Sequence, residues 1–192
     1  MAVTISADVT PIDFIGPWEV FQNVMIPDRG EAMDEQMPFE LFTVSETKKP
    51  VVSGGLTLIP GYTFRNVPQP KVVIIPAQKG SEALHKWLRQ ISVTADVTMS
   101  VCTGAFQLAK AGLLNGKSAT THHDFTDRLA REFPEIKVER GLRFVEGDKI
   151  STAGGLTSGI DLGLRVVERY FGRAVATTTA TYMEYQGKGW IV

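Results

Sequence analysis

The residue best suited to nucleophilic chemistry is Cys102, the only cysteine in the 192-residue chain. It stands between an apolar run ending in Val101 and the segment T-G-A-F-Q-L-A-K-A-G (103–112), which reads as a helix stopped by Gly112. A cysteine on such a strand-to-helix turn points outward above the carboxyl end of a sheet, beside free backbone N–H groups. A helix start lowers a thiol pKa from roughly 8.5 towards neutrality, so the sequence predicts a thiolate here. A lone cysteine is more often a small buried hydrophobe, but the position on the turn favours chemistry.

The candidate acids and bases lie far from Cys102 in the chain. Asp13 precedes G-P-W-E-V, where an aspartate also suits a helix start, so capping competes with catalysis. Glu19 reads as a solvent or interface carboxylate. His122 and His123 are two of three histidines and are candidate general bases, although a polar T-T-H-H-D stretch also fits a helix start or a surface. His85 falls on a helical pattern and reads as structural. Asp161 sits in the first turns of a helix, where packing and dipole effects account for it. Trp18, Trp87 and Trp190 read as core or interface anchors.

The elements that must position these groups alternate in period. Short β-branched runs at 3–6, 39–44, 71–75, 95–101 and 149–152 alternate with amphipathic stretches, the pattern of βα units and a mainly parallel sheet. K-V-V-I-I-P (71–76) is apolar at four consecutive positions and belongs in the middle of that sheet. Helical stripes follow at Leu84, Leu88 and Ile91, at Phe125, Leu129 and Phe133, and at Ile160, Leu164, Val167 and Phe171. Gly54-Gly55 predicts a hairpin turn, and a second small hairpin is expected within 137–145. Pro27 to Pro38 reads as a surface loop. No linker divides the chain, so one domain over 1–192 is expected.

Composition narrows the function classes. Twenty basic against 21 acidic residues leave no positive field for a phosphate backbone, so nucleic acid is not an expected partner. One cysteine permits no intrachain disulfide and no multi-thiolate metal site. The first residues lack a signal-peptide pattern and no window approaches a membrane span. A cytoplasmic protein with a small-molecule partner and neither metal nor cofactor is expected.

Four motifs carry a family resemblance: D-F-I-G-P-W-E-V (13–20), S-V-C-T-G (100–104), A-T-T-H (119–122) and G-G-L-T-S-G-I-D-L (154–162). Together they resemble the ThiJ/PfpI superfamily, a branch of the class I glutamine-amidotransferase-like fold, and within it the isonitrile hydratase group. The resemblance implies a flavodoxin-like three-layer α/β/α sandwich with a nucleophile elbow, and a homodimer. It also implies an acid pressed against the nucleophile, and Asp13 matches that position. By the same resemblance Cys102, Asp13 and Thr103 form the catalytic set, with Ala77, Gln78, Gly104 and His122 around the substrate or oxyanion.

Two departures bear on activity. The peptidase branch has histidine directly after the cysteine, where this chain has Thr103. The family's Gly-Gly pair after the central strand is replaced by Ala77-Gln78. If that peptide needs a positive φ, Gln78 is strained, and its amide is then expected to enter the pocket. Hydration of an isonitrile to a formamide is the implied activity. A cysteine-based redox or stress-protection protein, a non-catalytic ligand sensor and an amidase or peptidase are the alternatives.

Overall fold

The computed structural model describes residues 1–192. Its strands are β1 (Ala2–Thr4), β2 (Phe42–Ser45), β3 (Val51–Ser53), β4 (Leu56–Leu58), β5 (Tyr62–Thr63), β6 (Val72–Ile75), β7 (Val97–Ser100), β8 (Ser118–Ala119), β9 (Lys137–Val138), β10 (Phe144–Val145) and β11 (Ile150–Ala153). The helices are α1 (Pro11–Gln22), α2 (Met33–Gln36), α3 (Glu82–Thr94), α4 (Ala105–Lys110), α5 (Thr126–Glu132) and α6 (Ser158–Tyr182).

Seven strands form one sheet in the order β10-β11-β7-β6-β1-β2-β5, parallel except for β10. The run V-V-I-I is β6, at the centre of the sheet and buried at every position. Its side chains alternate between the faces. Val72 and Ile74 join Phe14, Val20, Phe21 and Leu162 under α1 and α6. Val73 and Ile75 join Leu84, Leu88, Leu108 and Leu129 under α3, α4 and α5. The molecule is therefore the three-layer α/β/α sandwich that the family resemblance implies, built on the mainly parallel sheet that the alternating periods predict.

The crossover through α1 and the crossover through α3 lie on opposite faces, so the chain winds away from the β1–β6 pair in both directions. Such a reversal opens a crevice at the carboxyl ends of the strands, where open α/β sheets bind ligands. The segments after β1, β6 and β7 all emerge there.

Gly54 and Gly55, with φ of 54° and 85°, turn β3 into β4 as the sequence predicts. The second hairpin is not formed. β9 pairs in parallel with β8, and β10 pairs antiparallel with β11, so the two halves of 137–145 serve different sheets. The 27–38 segment holds a 3-10 turn at Pro27–Arg29 and one turn of helix, α2. Helix α6 is interrupted at Gly172, whose φ of 85° and ψ of 168° are not helical. Trp87 and Trp190 are buried, as expected of core anchors, while Trp18 is half-buried. No helix is long and apolar enough to cross a membrane.

Candidate active site

Strand β7 ends at Ser100, and two residues later Cys102 adopts a φ of 56°, a left-handed conformation costly for a residue with a Cβ. The turn is held on all sides. The Cys102 N–H donates to Gly154 O at 2.8 Å, and Thr121 Oγ1 donates to the Cys102 carbonyl at 2.8 Å. A single 3-10 turn over Cys102–Gly104 then leads into α4. Gly104 lies so close beneath the Ile75 carbonyl that a Cβ would overlap the oxygen, so only glycine lets the elbow rest on the end of β6. The expected nucleophile elbow is present, with sulfur buried and facing the Thr103 and Leu156 N–H groups.

Asp13 approaches from the first turn of α1 and is fully buried. Thr10 occupies the N-cap, and the Asp13 side chain caps nothing. Its Oδ2 instead accepts the Ala77 N–H at 3.0 Å, while Oδ1 has no ordinary hydrogen-bond partner and the carboxyl is coupled to the Cys102 thiol. Capping, the bland reading of this residue, is therefore set aside by the geometry.

Burial raises the Asp13 pKa to about 6, opposed by the Ala77 N–H and by Cys102. Burial, followed by the neighbouring Asp13 charge, pushes the Cys102 thiol up to about 11, opposed by the Thr103 and Leu156 N–H groups. This corrects the expectation of a free thiolate. Helix α4 has six residues and a correspondingly small dipole, whereas desolvation and an adjacent carboxylate both disfavour the sulfur anion. Desolvation and mutual repulsion disfavour ionising both groups, so the pair shares one proton.

The family model described as DJ-1/PfpI family matches residues 1–169. The chain belongs to the DJ-1/PfpI family. It is 32% identical over 184 residues to the isonitrile hydratase of Pseudomonas putida, an alignment covering 92% of this chain and 74% of that protein. It is also 34% identical over 101 residues to the HTH-type transcriptional regulator CdhR of Pseudomonas aeruginosa, covering 53% of this chain and 30% of the regulator. Among solved structures, a ThiJ/PfpI family protein from Pseudomonas syringae superposes with a TM-score of 0.82 at 27% identity, covering 98% of this chain and 75% of that one. Drosophila melanogaster DJ-1beta gives 0.80 at 16% identity, covering 97% of both chains, a likeness of fold alone.

Within this DJ-1/PfpI chain the other sequence-selected residues have separate placements. Thr103 brings its N–H to sulfur and also borders a neighbouring surface cleft with Phe106, Lys110 and Arg128. Gly104 supplies clearance, because its own N–H is spent on Val101 O at 2.9 Å. Gln78 has no positive φ, and its amide does not turn to Cys102. The Nε2 group donates to Thr4 Oγ1 on β1, so the expected strain and polar intrusion are both absent.

His122 opens the 123–125 turn, its Nδ1 accepting the Asp124 N–H at 3.3 Å, and its ring lies against Gly155. It borders a polar cleft of about 310 Å³ that also includes Thr121, Arg143 and Leu156. His122, His123 and Asp124 place ligand atoms within 4.8 Å of one another, but the bond to the Asp124 N–H already occupies His122 Nδ1. His85 is buried on Gln107 as a structural residue, and Glu19 is exposed.

Two placements escape the sequence reading. Leu156, at a φ of 50°, turns its N–H to sulfur, and only the G-G-L-T-S-G run hints at so tight a turn. Asp161 does more than favour a helix start. Its Oδ2 accepts from Arg143 Nε at 2.7 Å and its Oδ1 from the Tyr185 hydroxyl at 3.1 Å, which ties down the C-terminal segment.

Proposed function

We propose that this DJ-1/PfpI protein adds water to an isonitrile and releases an N-substituted formamide. The observation that carries the reading is the buried Asp13 carboxyl set against the buried Cys102 thiol, with the Thr103 and Leu156 N–H groups turned toward the sulfur. Likeness to an isonitrile hydratase over 92% of the chain supports it.

At neutral pH the Asp13 carboxylate accepts the thiol proton as sulfur attacks the terminal isonitrile carbon, and it returns that proton to the same carbon. The product of this half is the thioimidate R–N=CH–S–Cys. Water adds to the thioimidate carbon, its protons divided between nitrogen and oxygen. Collapse of R–NH–CH(OH)–S–Cys releases R–NH–CHO and restores the thiol through Asp13. A carboxyl with a pKa of about 6 is suited to giving and taking a proton near neutrality.

The alternatives fit less well. The peptidase branch needs a histidine where Thr103 stands. Peroxide sensing is favoured by an exposed thiolate, whereas Cys102 is 7% exposed and its thiol pKa is raised. The ligand-sensor reading is supported by likeness to parts of several transcriptional regulators. We take the assembly to be a homodimer, consistent with Ile12 and Ile15 exposed on the outer face of α1.

Purified protein incubated with small aliphatic isonitriles is expected to give the formyl proton signal of the formamide by NMR. Cys102→Ala is expected to give none. Failure of the folded wild-type protein to convert any of several isonitriles overturns the assignment in favour of the sensor.

A further inference from the structure

The segment Ala77–Gly80 follows central strand β6 and stands where the family has a glycine pair. Its main chain is bound at almost every residue. Ala77 donates to Asp13 and accepts from the Thr10 N–H at 2.8 Å, and the Lys79 N–H donates to Ala7 O at 2.9 Å. Gln78 is held twice more. Its side-chain Nε2 reaches Thr4 on β1, and its carbonyl accepts from Gln107 Nε2 at 3.1 Å.

Gln107 is only 5% exposed and lies on α4, the helix that begins at the cysteine elbow. With its nitrogen committed to Gln78 O, the Gln107 Oε1 must accept, and it meets His85 Nε2 at 2.9 Å. His85 therefore carries its proton on Nε2, since the opposite tautomer would set two acceptors face to face. Gly80 leaves the space for this contact, because a Cβ there would collide with Gln107 Oε1.

The geometry points to a positioning relay, His85–Gln107–Gln78–Thr4, that fixes the Ala77 N–H on Asp13 and withholds it from bound substrate. Thr103 and Leu156 are then the amides left to face the reacting atoms. The four side chains act through Ala77 and touch neither sulfur nor carboxyl, so they are positioning residues. The inference rests on the Asp13–Cys102 pair as the reactive unit and assigns the Ala77-Gln78 departure a role within it. An N–H fixed on Asp13 favours the ionised carboxylate, which the proposed first step needs as its base.

The test reads the carboxyl group directly. The Asp13 side-chain carbon is followed by NMR as a function of pH in wild type, Gln107→Met, Gln78→Met and Cys102→Ala, with Asp13→Asn assigning the signal. The Ala77 N–H and Cys102 are the groups that bear on this carboxyl. Loss of the relay frees the N–H, and the Asp13 midpoint is expected to rise by about one pH unit from its wild-type value. Both methionine variants folded with an unchanged midpoint, whatever their melting temperatures, would overturn the relay. An unchanged midpoint in Cys102→Ala would instead overturn the Asp13–Cys102 pairing. Should Gln107→Met not fold, Gln78→Met decides alone, since it keeps the Gln107 bond to the residue 78 carbonyl.

Discussion

Asp13 turns one carboxylate oxygen to the Ala77 N–H at 3.0 Å and is coupled through the rest of the group to the Cys102 thiol. The three residues come from the ends of α1, β6 and β7, and they meet where the sheet reverses its winding. Each chemical property of the sulfur follows from that meeting and from its burial.

Alkylation of Cys102 by iodoacetamide is expected to accelerate steadily from pH 7 to beyond pH 9, because the thiol is held up to about 11 by burial and by Asp13. Asp13→Asn removes the adjacent charge and keeps the shape, so its alkylation midpoint falls below that of wild type. A wild-type rate that levels off below pH 8 would show that the helix start dominates after all.

The pH dependence of kcat/KM for isonitrile hydration should have an acid limb near 6, where Asp13 loses its proton and becomes a base. Below that limb the rate falls about tenfold per pH unit. Asp13→Asn is expected to lose the limb and roughly 100-fold or more of the rate. Substantial turnover in the folded variant removes Asp13 from the chemistry.

The same carboxyl costs stability. Its folded pKa of about 6 lies above the unfolded value near 3.8, so its favourable contribution is full below pH 3.8 and is lost as pH rises through 6. Asp13→Asn is therefore expected to be more stable than wild type at pH 7, by on the order of 1–2 kcal/mol. Below pH 4 the advantage disappears. Chemical denaturation at the two pH values checks the sign, and an asparagine variant that is less stable at pH 7 contradicts it.

Gly104→Ala forces a methyl group against the Ile75 carbonyl, which belongs to the rigid centre of the sheet. A loss of about 1–3 kcal/mol in urea denaturation is expected, together with a displaced elbow and reduced turnover. Unaltered stability would mean that the elbow does not rest on β6.

The sheet is legible in the sequence because burial on both faces leaves a compositional mark, most clearly in the V-V-I-I of β6. The hairpin expected within 137–145 fails because Lys137–Val138 and Phe144–Val145 find partners elsewhere in the chain, which local periodicity does not encode. Cys102 and Asp13 are legible from type and motif. The acidity of the thiol is not, since the helix start is local while burial and the carboxylate arrive through tertiary packing. Leu156 contributes only a backbone N–H, so its side chain carries no signal. Gln78 is visible as a departure from the family pair, but its direction depends on Thr4 and Gln107, one on β1 and the other on α4.

The burial of Cys102 also makes it a gauge of conformational opening. In an unfolded chain the thiol regains an ordinary pKa of about 8.5 and reacts readily near neutrality. In the folded chain it is protonated and closed off by residues 13, 77, 103 and 156, drawn from separate parts of the fold. Slow modification at pH 7.5 by a reagent too bulky for the folded site then counts excursions in which those segments part, much as amide exchange counts them for the backbone. A bulky electrophile meets the sulfur only during such an excursion, so the enclosure that confines the shared proton also decides which reactive molecules the protein survives.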